Sequence, residues 1–162
     1  MPKFNLDIRC QLENVKEFVP ASIQTFEWRI KFRCTGCNEE RDTFRVVTIG
    51  EKFPQSNSRG ESNLVETCNF CGNKGTVDIL EKAASFPYCE GDSGQFKSVC
   101  TLDCRGLEPV NFDFGHGYCV YASHSSQKFS DVDLSEKEWT DYDEIAKESI
   151  GIMELEHKFV RK

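Results

Sequence analysis

Apolar and polar residues alternate along much of this chain, with the period of two that is typical of β-strands. The clearest run covers residues 26–34, where every second position is apolar or cysteine: Phe26, Trp28, Ile30, Phe32 and Cys34. The positions between them are charged: Glu27, Arg29, Lys31 and Arg33. This pattern predicts a half-buried antiparallel strand that delivers its last inward residue, Cys34, to a turn.

Weaker alternation predicts further strands, separated by polar segments that contain glycine or proline. The predicted strands cover residues 3–13, 43–49, 64–68, 75–80, 95–104, 111–121 and 152–159. The predicted turns cover residues 50–60, 91–94 and 123–128. Residues 135–149 form the one segment that could hold a helix. Many short strands with regular turns predict an all-β, mainly antiparallel protein of sandwich-like or barrel-like architecture, with little helix.

Composition limits the classes of function. The chain has 162 residues and a formal net charge of −7. An acidic surface repels phosphate backbones and anionic lipids, which argues against nucleic-acid and membrane partners. The first residues lack the basic and apolar regions of a signal peptide, and no apolar run approaches the roughly 20 residues of a membrane span. Nine cysteines, an odd number without an export signal, then indicate thiols or metal ligands in the reducing cytoplasm.

Four of the cysteines lie in two C-x-x-C knuckles with 30 residues between them: Cys34-Thr35-Gly36-Cys37 and Cys68-Asn69-Phe70-Cys71. A tight turn brings thiolates three positions apart onto one side, as two corners of a tetrahedral zinc site require. Gly36 and Gly72 suit such turns, because one position in or after them often needs a positive φ. The knuckles predict one Zn²⁺ per chain, bound by Cys34, Cys37, Cys68 and Cys71. With four protein sulfurs as ligands, no position is left for an activated water, so the ion is expected to be structural.

Other interpretations of the cysteines and histidines are less favoured. A single C-x-x-C can be a redox pair, but it then usually lies at a strand-to-helix junction, and no such pattern occurs here. A second metal site could use His116, Cys119 and His124, with Cys104 as a fourth ligand, but these residues lack paired ligand spacing. Copper or another soft metal could still bind exposed thiols. Cysteines outside the knuckles are most simply small core residues: Cys10, Cys89, Cys100 and Cys119.

A faint internal repeat relates two parts of the chain at a shift of 70 residues. Phe26, Cys34, Gly36 and Phe44 recur as Phe96, Cys104, Gly106 and Phe114. The repeat predicts two pseudo-symmetric β halves, residues 1–74 with the zinc and residues 75–162 without metal, packed as one compact unit. In the second half Leu107 stands where the repeat would place Cys37. We hypothesise that Trp139 or Tyr142 fills the equivalent hollow.

Two charged surface features have both a functional and a structural interpretation. The three basic residues of the strand at 26–34 form a stripe, but neighbouring carboxylates cancel its charge, which favours an ion-paired, solvated face. Residues 131–148 are acidic and contain Trp139 and Tyr142. These aromatic residues are expected to anchor the segment to the core. The alternative is a docking site for a partner protein.

Longer strings of residues match those of a known family. They are Cys104-Arg105-Gly106-Leu107-Glu108-Pro109-Val110, Phe129-Ser130-Asp131 and Trp139-Thr140-Asp141-Tyr142-Asp143-Glu144. With the two knuckles, they make the chain resemble, nearly end to end, the eukaryotic CXXC-motif-containing zinc-binding protein family, formerly a domain of unknown function. The resemblance implies a small, cytoplasmic, mostly β protein with one zinc held by the four knuckle cysteines. It implies no established activity.

No catalytic motif accompanies the cysteines: the chain has no G-x-S-x-G elbow, glycine-rich phosphate loop or H-E-x-x-H sequence. We therefore expect a structural zinc-binding protein that is not an enzyme and acts as a scaffold or protein-interaction module. Its partner is expected to be another protein, bound through residues 139–142, and the chain is expected to be a monomer. The alternatives are a protein that exchanges zinc or copper and, less favoured, an enzyme with an unrecognised carboxylate or thiol.

Overall fold

The computed structural model describes residues 2–55, 59–81 and 85–162, and their regular structure is β apart from one 3₁₀ turn at Glu90–Asp92. The prediction of an all-β fold is confirmed. Within the described ranges, no helix is long and apolar enough to cross a bilayer. The described strands are β1 (Lys3–Glu13), β2 (Val15–Pro20), β3 (Trp28–Cys34), β4 (Arg45–Val47), β5 (Phe53–Pro54), β6 (Glu61–Ser62), β7 (Leu64–Thr67), β8 (Lys74–Ile79), β9 (Tyr88–Cys89), β10 (Lys97–Arg105), β11 (Leu107–Asp113), β12 (Tyr118–Ala122), β13 (Lys128–Val132), β14 (Trp139–Asp143) and β15 (Glu148–Arg161).

The described strands pair antiparallel throughout and form four sheets. The largest has the order β14-β15-β1-β10-β8-β7, and the others have the orders β11-β3-β4, β13-β12-β2-β9 and β5-β6. Each of the three larger sheets combines strands from residues 1–74 with strands from residues 75–162. The predicted division at residue 74 and the internal repeat stay predictions, but no larger sheet belongs to one half alone.

The core is formed by the apolar faces of alternating strands. In β3 every second side chain is buried, and Trp28, Ile30 and Phe32 are at most 1% exposed. Trp28 packs edge-to-face against Phe26 at a centroid distance of 4.9 Å. Phe18 of β2 and Tyr118 of β12 continue this aromatic cluster on the neighbouring sheet. The strongest alternation in the sequence therefore corresponds to the strand at the centre of the aromatic core.

The helix considered for residues 135–149 is wrong, because this segment holds β14, a tight turn and the start of β15. Asp143 explains the turn. Its buried carboxylate accepts hydrogen bonds from the backbone N–H groups of Ile145 (3.0 Å) and Ala146 (3.1 Å). The N–H of Lys147, a residue with a φ of 58°, donates to the Asp143 carbonyl at 2.7 Å. A side-chain-stabilised turn outweighs the moderate helix propensity of this segment.

The predicted strand at 111–121 is two strands, β11 and β12. The glycines between them, Gly115 and Gly117, have φ values of 68° and 91°, which a continuous strand does not contain. Several described strands were not predicted: β2, β6, β9, β13 and, in place of the considered helix, β14. The loop predicted at 50–60 contains the short strand β5. Part of that loop, residues 56–58, lies outside the described residues.

Candidate metal centre

The two knuckles occupy equivalent positions at the ends of strands. Cys34 is the last residue of β3, and Cys68 directly follows β7. In each knuckle the first cysteine exchanges two backbone hydrogen bonds with the turn. The Cys34 carbonyl accepts from Asn38 N–H (2.9 Å), and the Cys68 carbonyl accepts from Gly72 N–H (2.9 Å). The reverse bonds run from Cys34 N–H to the Glu39 carbonyl (3.0 Å) and from Cys68 N–H to the Asn73 carbonyl (2.8 Å).

Both turns contain the positive φ that was expected, but at a different position in one of them. Gly72 has a φ of 76°, as the sequence suggests. In the first knuckle Asn38 has the positive φ, 65°, and Gly36 does not. Asparagine tolerates this left-handed conformation better than most side chains do. Gly36 instead lies close to Asn73, whose Cβ would be 3.3 Å from a Cβ added at that glycine.

The four knuckle cysteines converge, with their Sγ atoms all within 4.8 Å of one another. The Sγ atoms of Cys34 and Cys71 are 3.7 Å apart, as are those of Cys37 and Cys68. A tetrahedral site with Zn–S bonds of about 2.3 Å has S–S edges of about 3.8 Å. These distances fit zinc, and the group could hold one metal ion among four sulfurs.

The two strand-end cysteines lie in an environment that favours their thiolates. Cys34 and Cys68 are buried, whereas Cys37 is half-buried and Cys71 is exposed. The pKa of Cys34 is lowered to about 6, mainly because the backbone N–H of Cys37 donates a hydrogen bond to its sulfur. Gly36 N–H adds a second donor at 3.3 Å from Cys34 Sγ. The backbone N–H groups of Cys71 and Phe70 lower the pKa of Cys68 in the same way.

The other two cysteines favour their protonated form. At Cys37 the backbone N–H of Glu39 favours the thiolate. Burial and the neighbouring thiols outweigh that hydrogen bond and raise the pKa of Cys37 to about 12. At Cys71 the backbone N–H of Asn73 likewise favours the thiolate. Although the residue as a whole is exposed, partial desolvation of its thiol by neighbouring atoms and the hydrogen bond with the Cys34 sulfur raise its pKa. Each close sulfur pair thus contains one thiol with a lowered pKa and one with a raised pKa. A metal cation that binds here would displace the remaining thiol protons and be attracted to the negative charge of the thiolates.

A third segment of the chain supports the site. The amide of Asn73 donates to Cys34 Sγ (3.7 Å) and to the Gly106 carbonyl (3.2 Å). The same carbonyl accepts from Thr35 N–H at 3.1 Å. Gly106 belongs to the turn between β10 and β11, and β11 pairs with β3 so that Leu107 lies opposite Cys34. Sequence reasoning missed Asn73, and its place two residues after Cys71 was the available signal.

The proposed second site is not assembled. Within residues 2–55, 59–81 and 85–162, the knuckle cysteines form the one group of three or more His, Cys, Asp or Glu side chains spaced for a metal. His124 is exposed and its Nδ1 is 2.5 Å from a Glu148 carboxylate oxygen, which raises the pKa of this histidine. Cys104 is buried, and burial raises its pKa to about 12. The cysteines outside the knuckles are buried, apart from the half-buried Cys89.

The structure supports the favoured structural roles of the two surface features only in part. Arg29 pairs with Glu27 at 2.9 Å and Arg33 pairs with Glu108, so two of the three basic residues of the stripe are ion-paired. The third, Lys31, has its ammonium 5.0 Å from the centroid of the Phe44 ring. In the acidic segment Trp139 is half-buried and packs edge-to-face on Phe129, with a centroid distance of 5.2 Å. Tyr142 is 44% exposed. Trp139 therefore anchors the segment, while the ring of Tyr142 is largely in solvent.

Comparison with known proteins identifies the family. The family model described as "CXXC motif containing zinc binding protein, eukaryotic" matches residues 5–160. Among curated relatives, the CXXC motif containing zinc binding protein of Xenopus laevis is 37% identical over 161 residues, and that of Homo sapiens is 35% identical over 161 residues. Both alignments cover 99% of this chain and 99% of the relative.

Solved structures show the same fold. The structure described as "Crystal Structure of C1orf123" is 35% identical, with a TM-score of 0.90 and 99% coverage of both chains. A second, described as "Hypothetical protein from plasmodium falciparum", shares the fold with a TM-score of 0.87 at 24% identity, covering 99% of this chain and all of that one. The convergence of the knuckles and the full-length match agree, and the chain belongs to the eukaryotic CXXC-motif-containing zinc-binding protein family.

Proposed function

We propose that Cys34, Cys37, Cys68 and Cys71 bind one Zn²⁺ per chain and that the ion is structural. The observation that supports this is the sulfur geometry, with two pairs of Sγ atoms 3.7 Å apart inside a group that spans 4.8 Å. Four thiolates complete the tetrahedral coordination of zinc, so no open position remains for substrate or water. The donor set therefore suits a structural ion and not a catalytic one. We propose in addition that the protein is not an enzyme.

The zinc has a clear mechanical role in this fold. It ties the end of β3 to the end of β7, and the segment between the knuckles contains β4, β5 and β6, which are strands of only two or three residues. Short strands bury little apolar surface of their own. Zinc binding to such knuckles contributes about 10–16 kcal/mol of apparent free energy. This is comparable with the roughly 5–15 kcal/mol net stability of a domain.

The zinc-supported fold presents surfaces for a partner, and we assign the protein a scaffold or protein-interaction role in the cytoplasm, acting as a monomer. Within the acidic segment at residues 131–148, we extend the docking residues predicted at 139–142 to residue 145, because Tyr142 is 44% exposed and Ile145 is 60% exposed. They stand beside the carboxylates of Asp141 and Glu144. Exposed aromatic and aliphatic side chains flanked by charge are typical of protein-binding sites. The partner is another protein, bound through this segment.

Removal of one ligand tests the zinc proposal. Cys34→Ser and Cys71→Ser are expected to lose the zinc and to unfold at least residues 1–74, because three sulfurs hold the ion poorly and the short strands then lack their cross-link. Metal content per chain by mass spectrometry and thermal melting measure the two effects. Cys89→Ser is the matched control, since Cys89 lies outside the knuckles. A metal-free variant with an unchanged melting curve would refute the structural role.

Exchange of zinc or copper with another protein is the second candidate function. The exposure of Cys71 favours it, because an incoming thiolate could reach a solvent-facing ligand. The rate of zinc transfer to a mild chelator separates the two functions. Transfer within minutes, or more than one metal ion per chain, supports exchange, whereas retention over hours supports a structural ion.

A further inference from the structure

A groove of about 670 Å³ lies beside the metal centre, between two strands that each end a sheet. One wall is formed by the chain after the first knuckle, from Glu39 to Arg45 at the start of β4. The other wall contains Val65, Glu66 and Thr67 of β7. It continues into the second knuckle with Asn69 and Phe70. The groove therefore lies between the chain that follows the first knuckle and the second knuckle itself.

The strands that line the groove have unpaired edges. Among the described strands, β4 is the end of the order β11-β3-β4, and β7 is the end of the six-stranded order. An end strand has backbone N–H and C=O groups that no neighbouring strand satisfies, and an extended peptide can bind to them. One of these groups is occupied by a side chain, since Arg41 Nη2 donates to the Thr67 carbonyl at 3.1 Å.

Two buried polar atoms of groove-lining residues have no hydrogen-bond partner in the part of the chain that the structure describes. They are a donor, Arg41 Nε, and an acceptor, Glu66 Oε2. The Glu66 side chain is only 10% exposed, and its other oxygen pairs with Arg45 Nε at 2.9 Å. A buried polar group without a partner is unfavourable. Both atoms are shielded from solvent, however, so a ligand in the groove would contact the exposed atoms around them and not these two.

The rim of the groove is acidic and carries one exposed aromatic ring. Glu39, Glu40 and Asp42 are exposed, and no ion pair to any of them occurs among the described residues. Phe70, at the tip of the second knuckle, is 69% exposed. Lysine or arginine side chains complement the carboxylates, and an apolar side chain complements the ring. Nucleic acid, which is anionic, does not fit this rim.

We propose that this groove binds an extended, basic segment of a partner protein, which adds its backbone along a free strand edge and places lysine or arginine side chains on the acidic rim. The inference rests on the proposed function in that the chain acts by binding another protein. It uses a different surface, however, because the groove shares no residue with the segment at 139–145.

The test uses the full-length, zinc-loaded protein and two synthetic peptides, one alternating lysine with valine and one alternating glutamate with valine. Backbone amide NMR shifts are recorded during titration to millimolar peptide. The lysine peptide is expected to shift the amides of residues 43–47 and 65–70, and to slow hydrogen exchange at one of the two strand edges. The glutamate peptide is expected to shift neither segment. Absence of shifts in both segments with the lysine peptide overturns the proposal, and equal shifts with the glutamate peptide do so as well.

Charge-reversed variants add a quantitative arm. Glu39→Lys combined with Asp42→Lys should weaken binding of the lysine peptide about tenfold, since two rim attractions become repulsions. Asp141→Lys combined with Glu144→Lys makes the same charge change outside the groove and should leave the affinity unchanged. Equal weakening by both pairs would mean attraction to overall charge only, which overturns a specific site.

A further variant keeps this inference separate from the proposed surface at 139–145. Tyr142→Ala combined with Ile145→Ala should bind the lysine peptide with wild-type affinity, whatever its effect on cellular partners. Loss of peptide binding in this variant, with an unchanged melting curve, would assign the peptide to the other surface and reject the groove.

Discussion

Asn73 is a single side chain that joins three parts of the site. Its amide contacts a metal-ligand candidate, Cys34 Sγ, and the Gly106 carbonyl, while its own backbone carbonyl completes the second knuckle. The amide thus helps to lower the pKa of Cys34, after the larger effects of the Cys37 N–H and the Gly36 N–H. The properties of one thiol consequently depend on residues from both knuckles and from the β10–β11 turn.

The unequal pKa values of the four thiols predict the number of protons released when zinc binds. At neutral pH the pKa of about 6 makes Cys34 mostly thiolate, and Cys68 has its pKa lowered too, whereas Cys37 with a pKa of about 12 keeps its proton. Zinc needs thiolates, so binding at neutral pH should release fewer protons than the four expected of ordinary cysteines, because Cys34 has already lost its proton. Affinity should therefore rise with pH, as protons compete less for Cys37 and Cys71.

Isothermal titration calorimetry in buffers of different ionisation enthalpy measures this proton count. Titrating zinc into metal-free protein at several pH values also measures the pH dependence of affinity. Release of four protons at neutral pH would contradict the thiol pKa differences described for the site. A zinc affinity that falls with rising pH would contradict the same differences.

At the scale of the elements, the β10–β11 turn is the one that holds the knuckles in place. Gly106 has a φ of 76°, and a Cβ at that position would lie 2.4 Å from the Lys74 carbonyl oxygen. This turn therefore requires glycine for two reasons, its left-handed backbone and its close approach to the start of β8. Gly106 belongs to the string from Cys104 to Val110 that carried part of the family resemblance, and this explains physically why that position is glycine.

Gly106→Ala is expected to lower the free energy of unfolding of the zinc-loaded protein by about 2–4 kcal/mol, from backbone strain plus the clash with the Lys74 carbonyl. Urea unfolding followed by circular dichroism measures this change. Gly117→Ala is the matched control, since Gly117 has a φ of 91° but no atom within 4 Å of an added Cβ. Gly117→Ala should lower the free energy of unfolding only by the backbone strain of the positive φ, about 1–2 kcal/mol. Equal losses in the two variants would show that the close approach does not matter.

The elements also show where sequence patterns succeed and fail. β3 was predicted because its alternation is uninterrupted and its inner side chains are large and apolar. The helix considered at 135–149 was wrong because the turn at Asp143 depends on a buried carboxylate, whose burial the sequence does not reveal. β13 was missed because only its last residue, Val132, is buried. A strand that is held mainly by pairing with its neighbour has a weak pattern of its own.

At the scale of the whole molecule, each larger sheet takes strands from both ends of the chain. β1 pairs with β15 over most of its length, from Phe4 opposite Arg161 to Glu13 opposite Gly151. β3, which carries Cys34, pairs with β11. Loss of the zinc is therefore expected to disturb pairing beyond residues 1–74, since the strands that end at the knuckles belong to sheets shared with residues 75–162.

The proposed interaction role belongs to this scale too. Tyr142→Ala combined with Ile145→Ala should lower recovery of the protein partner about tenfold or more in affinity purification from cells, because exposed anchors dominate binding energy. Val160→Ala, which truncates another exposed side chain, is the control and should leave recovery unchanged. Melting curves confirm that both variants are folded. Undiminished recovery with the double variant would exclude this segment as the binding site.

The sequence alone determined the strand-rich class and the two knuckles, because alternation and C-x-x-C spacing act over a few neighbouring residues. It could not determine that the knuckles face each other with sulfurs 3.7 Å apart, or that Asn73 and Gly106 support them. Nor could it place the ends of β4 and β7 on opposite sides of one groove. Only tertiary structure decides such contacts, because they join residues tens of positions apart whose approach depends on the register of every sheet between them.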